Sequence, residues 1–209
     1  MLHTETVAEP TLAVLKQLIA LPELASFSLV GGTNLALRLG HRISVDIDLF
    51  TTVSFDLAEI KDAIAAAFPG AIELSARNQT LLYQVNGVKT DLIRHPYHEI
   101  SPVENIEGIR FASLPDVIAM KLGAVAGRGA KKDFWDVHVL LKQFSIKEMI
   151  DFYAQKYPLS DPGQIIRSLV YFEDADPQQD PIDLLKVTWP EVKANLRDLV
   201  RNYTNSILG

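Results

Sequence analysis

The chain has 209 residues, 48% of them hydrophobic and 22% charged, enough for one sizeable core or a compact domain with a helical appendage. It contains no cysteine, which excludes disulfides and thiolate metal sites, and its net charge of −6 argues against a generic nucleic-acid coat, leaving RNA only to a local basic patch. No apolar run approaches the roughly eighteen residues of a membrane span, and Met1-Leu2-His3-Thr4-Glu5 lacks the basic lead of a signal peptide, so a soluble, cytoplasmic protein is expected.

Residues 10–20 carry helical spacing in Leu12, Leu15, Leu18 and Ile19, with Pro10 suited to a helix start. Phe27, Leu29 and Val30 then read as a strand that stops at Gly31-Gly32. A short helix over Asn34–Leu39 ends at Gly40, and a second strand covers Val45–Leu49. Side chains alternate along a strand, so Val45, Ile47 and Leu49 are expected on one face and Asp46 and Asp48 on the other. Two carboxylates about 7 Å apart on one face are costly to hold without a positive charge between them. Mg²⁺ suits them, because it takes one or two carboxylates and completes its shell with water and phosphate oxygens. Gly31 and Gly32 let the backbone approach a ligand closely, and the following helix start presents N–H groups to an anion. The plainer alternative is a glycine turn before an exposed strand. The two features together, in this order and about fifteen residues apart, favour a site for a triphosphate and its metals.

An amphipathic helix is expected from Phe55 to Phe68, ended by Pro69-Gly70, and a strand over Ala71–Ala76. Asn86-Gly87 between Leu81–Val85 and Val88–Ile93 is a strong hairpin signal, pairing Val85 with Val88 and setting Asp91 opposite Leu82. Lys89, Asp91 and Ile93 then share a face. A carboxylate inside an otherwise apolar strand is either a site residue or an edge aspartate paired with Lys89 or Arg94.

After a strand over Gly108–Ala112 the pattern turns helical. Ser113 caps a helix on which Lys121 and Arg128 point the same way. A second helix from Lys131 to Lys142 is apolar nearly all round, and its Asp133 and Asp136 need partners, for which Lys121, Arg128 and Lys132 are available. Ser145 and Glu148 form a capping box, a helix follows over about Gly163–Phe172, and the acidic stretch 173–181 reads as a solvated connection. Thr188-Trp189-Pro190-Glu191 opens the last helix. The five histidines form no His-x-His or His-x-x-x-His pair, so no zinc site is expected; His41 lies between the two arms of the candidate site. Strands followed by helices make the chain an α+β protein, with a mixed sheet over 1–112 and a helical region over 113–209 that completes the site.

Gly31-Gly32 followed by Asp46-Ile47-Asp48 resembles the signature of the DNA polymerase beta-type nucleotidyltransferase superfamily. The whole string from Gly31 to Phe50 is similar to one branch, the AbiEii-type toxin family of toxin–antitoxin and phage-defence systems. The later pattern Ile-Ala-Met-Lys-Leu-x-Ala, Arg-Gly and Lys-Asp-Phe-Trp-Asp is also similar to that family, so that the resemblance covers roughly residues 27–142. It implies a nucleotidyltransferase-like first domain and a third acidic residue on a later strand, identified as Asp91. Asp46, Asp48 and Asp91 would then hold two Mg²⁺ ions, and Lys121 would lie near the nucleotide phosphates. With Gly31 and Gly32 gripping the triphosphate, Thr33 or Ser44 would hydrogen-bond to it, and Arg42 would offset charge on the leaving pyrophosphate.

The implied reaction transfers NMP from an NTP to a hydroxyl of RNA, tRNA among others, or of protein. The implied role is that of a toxin with a cognate antitoxin. Arg38, Arg42, Arg94, Lys121, Arg128, Lys131 and Lys132 are the cations available to an RNA-binding rim. Two other readings stand beside this one. A small-molecule, antibiotic-type nucleotidyltransferase would keep the three aspartates but show an acidic acceptor pocket. A degenerate nucleotide-binding module would show no Mg²⁺-dependent NTP binding.

Overall fold

The structure, a computed structural model, describes residues 1–208. The chain divides into two compact units, Met1–Ser113 and a second that begins at Leu114.

In the first unit, α1 (Glu9–Ala20) has proline in its first turn and buries Val14, Leu15, Leu18 and Ile19. β1 (Ser28–Leu29) leads through Val30 into α2 (Gly31–Leu39), which ends at Gly40 in the left-handed conformation, φ 65°. β2 (Ile47–Thr51), α3 (Leu57–Ala67) and strands β3 (Ile72–Arg77), β4 (Thr80–Val85) and β5 (Val88–Arg94) follow. The unit closes with β6 (Glu104–Ile106), which the sequence reading missed, and β7 (Ile109–Phe111). The strands form one mixed sheet of order β3-β4-β5-β2-β1-β7-β6. β2 runs parallel to β5 and β1 parallel to β7, while the remaining neighbours are antiparallel. Leu29, Ile47, Leu49, Leu81, Leu92 and Phe111 turn to one side, where with α1 and with Ile60 and Ile64 of α3 they build the core. Arg110 locks the corner by donating to the carbonyls of Ile19, Leu24 and Phe27. The opposite side of β2 and β5 carries Asp48 and Asp91.

Two expectations change here. α2 begins at Gly31 instead of Asn34, so the glycine pair is the first turn of the helix. β2 begins at Ile47, which leaves Val45 60% exposed and outside the core. Asp46 therefore sits in the extended lead-in to β2, where strand alternation does not fix its direction.

The second unit is helical: α4 (Leu114–Gly127), α5 (Lys131–Leu140), α6 (Ile146–Lys156), α7 (Pro162–Ser168) and α8 (Trp189–Leu208). α5 is buried along nearly its whole length, and α6 opens with the expected capping box of Ser145 and Glu148. Phe134, Trp135, Phe172 and Trp189 pack ring against ring at centroid separations of 5.1–5.8 Å. The acidic stretch 173–181 is more than a solvated connection. Asp176 accepts from Trp189 Nε1 and Lys193, and Asp180 pairs with Lys131 at 3.0 Å, so its charges stitch the loop to the helices.

Candidate active site

Gly31 and Gly32 occupy the start of α2 for separate reasons. Gly31 has φ +69°, and a Cβ there would collide with the Asp48 carboxylate. The helix N-terminus thus lies against Asp48, and only a glycine allows the approach. At Gly32 a Cβ would meet the Arg42 guanidinium, which is buried over this turn and donates to the Ile43 carbonyl. A buried guanidinium beside the start of a helix gives this corner the electrostatics of an anion site. Asn34 positions it: its Nδ2 donates to the carbonyls of Leu29 and Ala112, at 2.7 and 3.1 Å, tying α2 to the ends of β1 and β7. The sequence reading passed over Asn34; a buried amide in the first turn of an apolar helix was the available signal.

Thr33 and Ser44 are engaged with the protein itself. Their hydroxyls lie 2.9 Å apart, and Thr33 Oγ1 also donates to the Asp46 carbonyl, fixing the segment that carries Asp46. His41 is fully buried.

The acidic group is built by register. β2 and β5 run parallel with Asp48 directly paired to Asp91, so both side chains leave the same face of the sheet on strands about 4.8 Å apart. Asp91 is buried; its Oδ2 accepts from Lys89 Nζ at 2.8 Å, and its Oδ1 has no hydrogen-bond partner. Partial burial works to lower the Lys89 pKa. The hydrogen bond and charge of Asp91, with the charges of Asp48 and Asp46, outweigh it and hold that pKa above the ordinary lysine value. Lys89 thus registers all three carboxylates at once. Among the described residues no three acidic or histidine side chains stand at metal-ligating distance as a group. The donor chemistry nevertheless fits a hard divalent cation: oxygen ligands only, two of them in register, and a buried carboxylate oxygen on Asp91 with unused acceptor capacity.

Lys121 belongs to the second unit and is buried. Its Nζ bonds to Asp133 at 2.9 Å and Asp136 at 2.8 Å, and Arg128 Nε adds a 2.8 Å bond to Asp133. Burial favours protonating Asp133, but Lys121 and Arg128 override it and hold its pKa below the ordinary 3.8. Of the other cations proposed for a basic rim, Arg38 chelates Glu104 and lies over the Phe111 ring, and Lys131 is committed to Asp180.

Residues 13–203 match the family described as "Nucleotidyl transferase AbiEii toxin, Type IV TA system". The chain belongs to the AbiEii nucleotidyltransferase toxin family. A relative from Aquifex aeolicus, the protein aq_aa25, is 32% identical over 198 residues, covering 90% of this chain and 93% of its own. The same fold occurs in MenT4, a nucleotidyltransferase toxin from Mycobacterium tuberculosis, with a TM-score of 0.62 at 12% identity over 91% of this chain and 81% of that one. It occurs too in JHP933 from Helicobacter pylori, with a TM-score of 0.51 at 19% identity over 96% and 97% of the two chains. The mixed seven-stranded sheet with its flanking helices is therefore the AbiEii-family version of a nucleotidyltransferase fold. No helix among the described residues is long and apolar enough to cross a membrane.

Proposed function

We propose that this AbiEii-family protein is a cytoplasmic, Mg²⁺-dependent toxin that transfers NMP from an NTP to a hydroxyl of RNA and is held in check by a cognate antitoxin. The observation that carries the reading is the in-register pair Asp48 and Asp91, with the glycine-opened start of α2 against Asp48. Asp46, Asp48 and Asp91 would hold the two metal ions, which when bound offset charge on the attacking and leaving oxygens. The start of α2 and Arg42 bind the triphosphate and orient its α-phosphorus. Thr33 and Ser44 brace the loop that presents Asp46, and their expected bond to the triphosphate is kept on the resemblance alone. The carboxylate of Asp91 orients the acceptor hydroxyl and takes its proton as the new O–P bond forms. The bond from the α-phosphorus to the bridging oxygen breaks, and pyrophosphate leaves toward Arg42. The phosphate role of Lys121 likewise rests on the resemblance alone, its ammonium being held by Asp133 and Asp136.

The test is incubation of the protein with each labelled NTP, Mg²⁺ and total RNA. Label is expected in RNA with the wild-type chain and none with Asp48→Ala. Label confined to protein or to a small-molecule acceptor overturns the RNA assignment, and transfer that survives Asp48→Ala overturns the acidic site.

A further inference from the structure

The sheet face that carries Asp48 and Asp91 continues into a ladder of aromatic rings. Phe50 follows Asp48 by two residues on β2, so it leaves the same face one strand repeat further on, and it is paired in register with Ile93, two residues beyond Asp91. His95 extends the pairing past the end of β5 by donating its N–H to the Thr51 carbonyl at 2.7 Å. Its ring lies 5.8 Å from that of Phe50, and the Tyr97 ring lies 4.7 Å from His95. Tyr97 is 42% exposed, so the outer rung faces solvent.

The two ends of the acidic pair differ in chemistry. At the amino end of β2 stand Gly31, against Asp48, and Thr33, bonded to the Asp46 carbonyl. At the carboxyl end stand the rings. In-line displacement puts the attacking hydroxyl and the leaving pyrophosphate on opposite sides of the α-phosphorus. With the triphosphate at the glycine end, the acceptor approaches from the end that carries the rings. The cations once counted toward an RNA rim are in part committed to internal pairs, whereas stacking on aromatic rings is the other general way to hold an unpaired base.

We propose that Phe50, His95 and Tyr97 form a stacking platform for the unpaired nucleobase next to the acceptor hydroxyl. The assignment rests on the RNA-acceptor reading above. The probe is a short single-stranded oligoribonucleotide with 2-aminopurine as its terminal base, whose fluorescence is quenched on stacking. Binding is measured for the wild-type chain, Tyr97→Ala and Tyr97→Phe, alongside the binding of a labelled non-hydrolysable NTP with Mg²⁺. Tyr97→Ala is expected to weaken oligonucleotide binding about ten-fold or more, as loss of one stacked base does. Tyr97→Phe keeps the ring and binds as wild type, and NTP affinity is the same in all three. Unchanged quench and affinity in Tyr97→Ala overturn the platform, and a loss that falls on the NTP instead assigns the rings to the nucleotide's own base and overturns the acceptor role. The quench needs no chemistry. A wild-type chain that quenches through Tyr97 yet labels no RNA would therefore overturn the RNA-transfer reading and with it the acceptor role of the rings, whereas a chain that labels RNA without quenching through Tyr97 would overturn the platform alone.

Discussion

Gly31 and Gly32 look alike in the sequence and do different work in the molecule. Gly31 sits in left-handed backbone with Asp48 where a side chain would go, so Gly31→Ala combines backbone strain of about 1–2 kcal/mol with displacement of that carboxylate. Gly32 has ordinary helical backbone, and an added methyl collides with the far end of the Arg42 side chain and comes within 3.4 Å of the Ser44 hydroxyl. Gly32→Ala is expected to keep or slightly raise stability, since alanine favours helix. By moving Arg42 it should weaken NTP binding about ten-fold, the scale of one lost charged hydrogen bond. Urea denaturation and NTP titration of the two variants check this: Gly31→Ala should lose both stability and transfer, Gly32→Ala only nucleotide affinity.

The β4–β5 hairpin decides where Asp91 goes. A one-residue slip would send Asp91 to the core side and bring Leu92 out. Register is set by the turn, where Asn86 and Gly87 both have positive φ, 49° and 82°. A Cβ at Gly87 would meet nothing within 4 Å, so the cost of Gly87→Ala is purely conformational. We expect a loss of about 1–2 kcal/mol with the register retained, read as a lowered denaturation midpoint with an unchanged amide-exchange pattern across β4 and β5. The helical unit is organised by charge instead. Lys121 and Arg128 from α4 and the segment after it converge on Asp133 of α5, and Lys156 of α6 pairs with buried Asp116 at 2.6 Å. Removing one partner from such buried pairs is far more damaging than replacing both.

Across the whole molecule, 26 acidic residues outnumber 20 basic ones, and several of the carboxylates sit in buried or half-buried ion pairs. Asp133 sets one end of the stability profile. Its pKa is lower in the folded chain than the ordinary 3.8, so below that value the unfolded chain binds a proton that the folded chain refuses. Its contribution is fully present above pH 3.8 and is lost as pH falls toward the folded value. Denaturation midpoints measured from pH 6 downward should therefore drop more steeply below about pH 4 in the wild type than in Asp133→Asn, which starts from a lower plateau.

The glycine pair, the Asp-x-Asp, the hairpin and its Asp91 were legible in the sequence because each is local: turn chemistry and a two-residue period fix them within a dozen positions. The division into a sheet-bearing first part and a helical second part followed from the same periodicities. Three things were decided by tertiary structure. Val45 was expected on one strand face with Ile47 and Leu49, and the start of β2 at Ile47 left it off the strand and exposed. Lys121, Arg128, Asp133 and Asp136 fit both a phosphate site and a stitched helix pair, and the structure supplies the stitches. The parallel pairing of β2 with β5, which sets Asp48 beside Asp91 and Phe50 beside His95, joins residues more than forty positions apart. No local pattern encodes that pairing, because it is chosen by which strands bury their apolar faces together.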